Sequence, residues 1–288
     1  MSKSVLVTGA TGKTGSEVVK GLIAKGETVR VGAHTPEKGS AMFGSHAGVQ
    51  VVPLDLGRPE TFDAALAGVG RVYLLAVTGE TAPDQALMPF VDRAKAAGVR
   101  HIAYMTARGV EMDENNPLRR VERYIEKSGV PYTFLRPSWF MQNFSSGFIA
   151  PMILGMGGIF LPAADAKTSF IDARDIAAVG IAALTEPGHA GKAYALSGGQ
   201  AFTYGEAAEI LSRAAGKPIR YVALSDEDFR SSLAAQGWKP EQIAMFSNLF
   251  GGVRQGWAAE VSSDVTNVLG RPPITLEQFA QDHAVVWR

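Results

Sequence analysis

Along its first half the chain alternates short, continuously apolar runs with stretches whose apolar residues recur at helical spacing. The apolar runs fall at 4–8, 28–33, 49–53, 71–77, 100–106 and 131–135. Runs that are apolar at nearly every position, rather than at every second one, are what strands buried on both faces require. Between them, Val18, Val19, Leu22 and Ile23 form a stripe closed by Gly26, and Phe62, Ala65 and Leu66 follow Pro59. Leu87, Phe90, Val91 and Ala94 precede Gly98, while Leu118, Val121, Tyr124 and Ile125 lie between Pro117 and Gly129. Each reads as an amphipathic helix with a proline start or a glycine stop. The repeated order of strand and helix predicts an α/β protein: a doubly wound parallel sheet, or Rossmann fold, with helices on both faces.

After residue 147 the rhythm changes. A Gly/Pro-rich section, 147–162, precedes a helix at 173–185 and a strand at 192–197; from Thr203 the pattern is helical at 203–215, 225–236, 239–250 and 275–286. The sheet cannot use all of these helices, so a smaller, mostly helical C-terminal lobe is expected over the carboxyl ends of the strands. The Rossmann domain is assigned residues 1–147 and about 172–198, and the substrate-binding lobe 148–171 and 199–288.

The first strand ends in Val7-Thr8-Gly9-Ala10-Thr11-Gly12-Lys13-Thr14-Gly15, with helix pattern following at once. This order of strand, glycine-rich turn and helix is what a dinucleotide pyrophosphate site needs. Gly9 allows the tight turn, Gly12 lets backbone approach phosphate, and Gly15 lets the helix pack closely, so its free N–H groups and positive dipole end face the anion. Thr11, Lys13 and Thr14 join the glycines as expected cofactor contacts. Gly12-Lys13-Thr14 is not the end of a P-loop, because the glycine required five positions earlier is Val7.

Composition removes several alternatives. Lys+Arg and Asp+Glu both total 28, giving no net charge and no basic field for nucleic acid or an anionic membrane. The densest basic run, Arg119-Arg120-Val121-Glu122-Arg123, contains an acid at helical spacing and reads as a solvated helix face. No cysteine is present, so disulfides, thiolate metal sites and cysteine nucleophiles are excluded. The five histidines stand apart, with no ligand pair, and no metal is expected. The longest apolar stretch, 148–161, is interrupted by Pro151 and glycines and is too short to span a bilayer. With no signal segment read at the start, the expectation is a cytoplasmic protein acting on a small molecule, with a homodimer left open.

The second strand runs into His34-Thr35-Pro36-Glu37-Lys38. NAD-selective sites place an acid at this strand end for the ribose 2′-hydroxyl, whereas His34, Thr35 and Lys38 would welcome a 2′-phosphate. NADP(H) is therefore preferred over NAD(H). Asp55 and Leu56, after the third strand, are candidates for the adenine edge, with an ordinary turn aspartate as the alternative.

The letters then become familiar. Val7–Gly15, His101-Ile102-Ala103-Tyr104-Met105-Thr106, Tyr132–Phe144 with its Arg136-Pro137-Ser138-Trp139-Phe140-Met141-Gln142-Asn143 run, Phe170–Ala177 and Gly270-Arg271-Pro272-Pro273 occur in the order found in one family. The chain resembles the NmrA-like branch of the atypical short-chain dehydrogenase/reductases, and within it bacterial relatives of the agroclavine dehydrogenase type. The resemblance implies a Rossmann fold with a small C-terminal substrate lobe and binding of NAD(P)(H). It leaves the substrate open, since the family includes reductases, isomerases and cofactor-sensing regulators.

Classical members of the wider superfamily donate a proton from a tyrosine with a lysine four residues on. Here Tyr104 and Tyr132 have Arg108 and Arg136 at that position, Tyr124 has Ser128, and no other tyrosine has a lysine. Without that acid, ketone reduction is poorly served, while an iminium or cationic dye carbon takes hydride alone and a quinone yields a weakly basic oxygen. Ala76, Val77 and Thr78, after the fourth strand, are expected to border the cofactor. Thr106 ends the fifth strand, where it either presents a hydroxyl to the reacting carbon and the cofactor or merely caps the strand. Arg136, Trp139, Met141 and Asn143 are the expected substrate contacts, with Phe140 assigned to the core. Asp172 and Asp175 read as caps of the following helix. The sequence thus predicts an NAD(P)H-dependent oxidoreductase for a small apolar electrophile; the alternative is a non-catalytic NADP-sensing regulator, and a nucleotide-sugar epimerase trails both.

Overall fold

The computed structural model describes residues 4–76, 80 and 82–288. Up to Pro137 the order is Ser4–Val7 (β1), Lys13–Ala24 (α1), Val29–Ala33 (β2), Pro36–Phe43 (α2), Val49–Pro53 (β3) and Phe62–Leu66 (α3). Val69–Leu75 (β4), Pro83–Ala96 (α4), His101–Met105 (β5), Pro117–Ser128 (α5) and Tyr132–Pro137 (β6) follow. Beyond it come Ala150–Met156 (α6), Gly158–Leu161 (β7), Ala173–Thr185 (α7), Lys192–Leu196 (β8), Tyr204–Ala215 (α8) and Arg220–Ala223 (β9). The chain closes with Asp226–Ala235 (α9), Pro240–Arg254 (α10), Asp264–Leu269 (α11) and Leu276–Asp282 (α12).

The chain divides into two compact units, Met1–Pro137 with Ala173–Leu196, and Ser138–Asp172 with Ser197–Arg288. The first holds a seven-stranded sheet in the order β3-β2-β1-β4-β5-β6-β8, every pairing parallel. This is the doubly wound Rossmann arrangement that the sequence predicts, and its switch point lies between β1 and β4. The central strands explain their own composition: Val5, Leu6, Val7, Val72, Tyr73, Leu74, Ile102, Ala103 and Tyr104 are all fully buried. On one face Phe62, Phe90, Val121 and Ile125, from α3, α4 and α5, join Leu6, Val72, Leu74, Ile102 and Tyr104 in a single core cluster. Phe62 and Phe90 meet edge to face at 5.2 Å. Helices α1 and α7 pack against each other on the other face. Helix α5 begins where Asn116 accepts the Leu118 N–H at 3.0 Å, has Pro117 at its first position, and stops at Gly129 with φ +80°.

The second unit has its own core around Phe144, Phe170, Tyr204, Phe250, Phe279 and Trp287, whose indole N–H donates to the Phe144 carbonyl at 2.8 Å. It is not purely helical: β7 and β9 form a two-stranded parallel sheet. The sequence did not announce them, because β7 lies in the Gly-rich section and β9 is short and mostly exposed. Helix α2 carries no apolar stripe either, since it buries only Gly39 and Phe43.

At the amino end of β5, His101 Nε2 lies 2.9 Å from Thr133 Oγ1, which donates at 2.7 Å to the His189 carbonyl. Burial, with His189 and Arg71 nearby, lowers the His101 pKa to about 4. Because the folded value lies below the unfolded one, about 6.5, His101 supports folding above that unfolded value, and the support is lost as pH falls through the folded one. The urea midpoint is therefore expected to drop between pH 7 and pH 4, and His101→Gln should flatten that drop. An unchanged slope in the variant would place the acid sensitivity elsewhere.

Candidate functional site

Thr8 anchors the end of β1: its N–H donates to the Tyr73 carbonyl at 3.0 Å, and its hydroxyl accepts the Leu75 N–H at 3.0 Å. The chain then turns at Gly9, φ +56°, and the Gly12 N–H closes the turn on the Gly9 carbonyl at 2.9 Å. A Cβ at Gly15 would stand 2.2 Å from the Gly9 oxygen, and one at Gly12 3.2 Å from it. Helix α1 thus starts against bare backbone. Its N-cap, Gly12, supplies no side-chain cap, and no acidic residue occupies the first turn. Uncapped N–H groups at a helix start, with a glycine-lined approach, fit a diphosphate. Gly12 and Lys13 are exposed and Thr11 is half-buried, whereas Thr14 is buried, its side chain bonded to Tyr73.

The ends of β2 and β3 lie side by side, with the Leu54 N–H donating to the Ala33 carbonyl at 3.0 Å. His34, Thr35 and Lys38 are exposed there. Thr35 is the N-cap of α2, but its hydroxyl makes no capping bond. His34 Nε2 stands 3.4 Å from Asp55 Oδ2, while Asp55 Oδ1 accepts the Gly57 N–H at 2.9 Å in an Asx turn. The Leu56 side chain belongs to the core cluster, so its backbone is the part that can meet a ligand. Ala76 is half-buried against the same cluster, and Val77 and Thr78 lie outside the described residues.

The carboxyl ends of β5 and β6 carry a group that the sequence reading missed. Glu122 of α5 is fully buried. Its Oε1 accepts from Thr106 Oγ1 at 2.9 Å and Arg136 Nε at 3.0 Å; its Oε2 accepts from Arg119 Nη1 at 2.6 Å and Arg136 Nη2 at 2.7 Å. The basic run is therefore a solvated face only in part: Arg120 and Arg123 are exposed, whereas Arg119 and Glu122 point inward. The signal was present: Leu118, Val121, Glu122 and Ile125 follow the i, i+3, i+4, i+7 spacing of a buried stripe. Arg136 is corrected as well. Strand β6 runs on through Pro137, and the Arg136 guanidinium forks onto Glu122 instead of standing open to a substrate.

Tyr73 and Tyr104, the tyrosines of β4 and β5, are both fully buried. Tyr104 is buried with no hydrogen-bond partner for its hydroxyl, and burial, reinforced by the Glu122 and Asp84 charges, pushes its pKa far above the ordinary phenol value. Burial does the same to Tyr73, despite its bond to Thr14. Among the described residues no group of His, Asp or Glu could hold a metal, and no helix is long and apolar enough to cross a membrane.

In the second unit, Trp139 is half-buried, its ring 5.1 Å from that of Phe250, and Asn143 is half-buried. Met141 is corrected: it is 2% exposed and lies in the core, whereas Phe140, read as core, is half-buried. The reason is local geometry, because Met141–Asn143 form a 3₁₀ turn that rotates the side chains away from the order an extended segment would give. Asp172, expected as a cap, is buried and accepts from Gln142 Nε2 at 3.0 Å.

Known proteins share this organisation. The NAD(P)H azoreductase of Xenophilus azovorans is 37% identical over 290 residues, spanning 98% of this chain and 99% of that protein. The NADPH-dependent quinone oxidoreductase of Escherichia coli, crystallised with NADPH, superposes with a TM-score of 0.84 at 27% identity, covering 96% of this chain and 99% of that one. The triphenylmethane reductase of Citrobacter sp., in complex with NADP(H), also gives 0.84 at 27% identity, covering 98% and 100%. A model of the NmrA-like family matches residues 1–265, and the chain belongs to that family.

Proposed function

We propose that this chain is an NAD(P)H-dependent reductase that passes hydride to a small, largely apolar electrophile such as a quinone, an iminium ion or another conjugated acceptor. The observation that carries the reading is the start of α1: a turn where a Cβ at Gly15 would meet the Gly9 oxygen at 2.2 Å, leading into a helix with no side-chain cap. Such a start leaves backbone N–H groups free for a diphosphate. Bound there, the reduced dinucleotide supplies the hydride. The chain's own part is to hold the diphosphate through Gly9–Gly15 and to receive the 2′-phosphate beside His34, Thr35 and Lys38. Of the substrate contacts, we retain Trp139 and Asn143 in the second unit.

The kinship with reductases named for azo compounds, quinones and triphenylmethane dyes supports the acceptor class. The lack of a Tyr/Lys pair supports it from the chemical side, because these acceptors do not need a strong acid at the reacting oxygen. The test is NADPH oxidation with benzoquinones, iminium ions and triarylmethane dyes, beside an NADPH titration. Turnover with at least one class is expected. Tight binding with no turnover of any would support the cofactor sensor instead.

For cofactor choice, Lys38→Ala is expected to weaken NADPH binding by roughly threefold to fivefold, the scale of an exposed charge pair, and to leave NADH binding alone. An equal loss for both cofactors would remove Lys38 from the 2′-phosphate site.

A further inference from the structure

A hydroxyl has one proton and two lone pairs, so its neighbours decide which of them it shows. Among the described residues the Thr106 hydroxyl has two hydrogen-bond neighbours, Glu122 Oε1 at 2.9 Å and, less directly, the Leu135 carbonyl at 3.5 Å. Both are acceptors. Whichever it chooses, its proton is spent inside the protein, and the hydroxyl of this residue, 7% exposed, has only lone pairs left to offer a ligand. Glu122 is in turn held from two sides by guanidinium groups, with Arg119 8% and Arg136 14% exposed at the side chain. The carboxylate thus accepts four hydrogen bonds, three of them from guanidinium groups, and a buried carboxylate so held resists rearrangement. The segment carrying the hydroxyl is fixed too: the Thr106 N–H donates to the Leu135 carbonyl at 2.8 Å and the Arg108 N–H to the Pro137 carbonyl at 3.0 Å, extending the β5–β6 ladder past β5.

We propose that Glu122 is a positioning residue that fixes the Thr106 hydroxyl as a hydrogen-bond acceptor at the carboxyl end of β5, selecting acceptors that arrive with positive charge over those that develop a negative oxygen. The inference rests on the reductase reading. When an iminium or triarylmethyl carbon takes hydride, a proton with two electrons, one C–H bond forms. The π pair of the acceptor moves onto nitrogen or into the ring system, and the neutral product needs no further proton. The reduced dinucleotide is oxidised by the same two electrons. A quinone taking the same hydride is left with an anionic oxygen, which must draw its proton from water because Thr106 has none to give. Lone pairs directed at the acceptor attract the positive substrate and repel the developing negative oxygen.

The experiment compares a triarylmethane dye with a neutral benzoquinone as acceptors for the whole protein, with Thr106→Val and Glu122→Gln beside the parent and NADPH affinity measured for each. Glutamine at 122 brings an NH₂ that can donate to Thr106 and turn its proton outward. Valine keeps the shape and removes the lone pairs. In both variants the dye-to-quinone ratio of kcat/KM is expected to fall, by roughly tenfold, the scale of one hydrogen bond to a charged partner. NADPH affinity, measured for each variant, separates any loss of cofactor binding from the change in this ratio, because the ratio compares two acceptors at the same cofactor site. Thr106→Val carries the test if Glu122→Gln does not fold. Equal losses for both acceptors in the folded variants would overturn the proposal and leave Glu122 a structural anchor. A parent that binds NADPH but reduces neither acceptor would instead defeat the reductase reading, and the proposal with it.

Discussion

Gly15→Ala is expected to weaken NADPH binding by about a hundredfold or more while leaving a folded protein. The added Cβ would lie 2.2 Å from the Gly9 oxygen and 2.7 Å from the Gly9 carbonyl carbon. These are backbone atoms of the turn itself, so no flexible side chain can yield. Either α1 slides away from β1 or the turn opens, and both displace the N–H groups that would hold the diphosphate. The strain of such overpacking is about 1–3 kcal/mol, which a protein with this much buried core survives. The geometric loss at the cradle is larger in effect, about a hundredfold or more in Kd, since misplaced donors forfeit several charge-assisted hydrogen bonds together. Gly12→Ala makes the graded control: its Cβ would sit 3.2 Å from the same oxygen, which a small shift relieves, so binding should weaken less. Fluorescence titration with NADPH and urea denaturation of both variants check this. If Gly15→Ala bound NADPH like the parent, the diphosphate would not lie at the start of α1.

The glycine turn was legible because every constraint on it is local: a strand, a turn of fixed length and a helix, all within residues 4–24. The sheet was legible for a related reason, since strands buried on both faces leave continuous apolar runs such as Val5–Val7 and Ile102–Tyr104. Errors arose where meaning depends on contacts distant in sequence. Glu122 is read as solvated when its neighbours are Arg119, Arg120 and Arg123, and only the fold shows that Thr106 and Arg136 converge on it from two strand ends. Met141 and Phe140 exchanged roles because a single 3₁₀ turn defeats an argument from alternation. Strands β7 and β9 pair across 62 positions at Gly158 and Arg220, a partnership that neither segment's composition declares. The exposed His34 could be placed from sequence, but its approach to Asp55 at 3.4 Å could not.

The other large effect is expected at Arg136, where the substrate reading and the structural reading part. Arg136→Met should cost about 3–5 kcal/mol of stability, the scale of breaking a buried ion pair from one side. The variant leaves Glu122, fully buried, with Arg119 as its only remaining cationic partner in the set, and removes two of its four hydrogen bonds. Methionine fills most of the arginine stem's volume, so the loss would come from the carboxylate left behind and not from a cavity. Replacing the carboxylate as well separates the two: in Glu122→Leu/Arg136→Met no buried negative charge remains to be compensated. The double variant should therefore be more stable than the sum of the single changes allows, with a coupling of about 1–3 kcal/mol. Urea unfolding of the parent, both single variants and the double variant measures that coupling. The contrary result is equally definite. Arg136→Met as stable as the parent, yet raised in KM for the electron acceptor, would return Arg136 to the substrate and show that Arg119 and Thr106 suffice to hold Glu122.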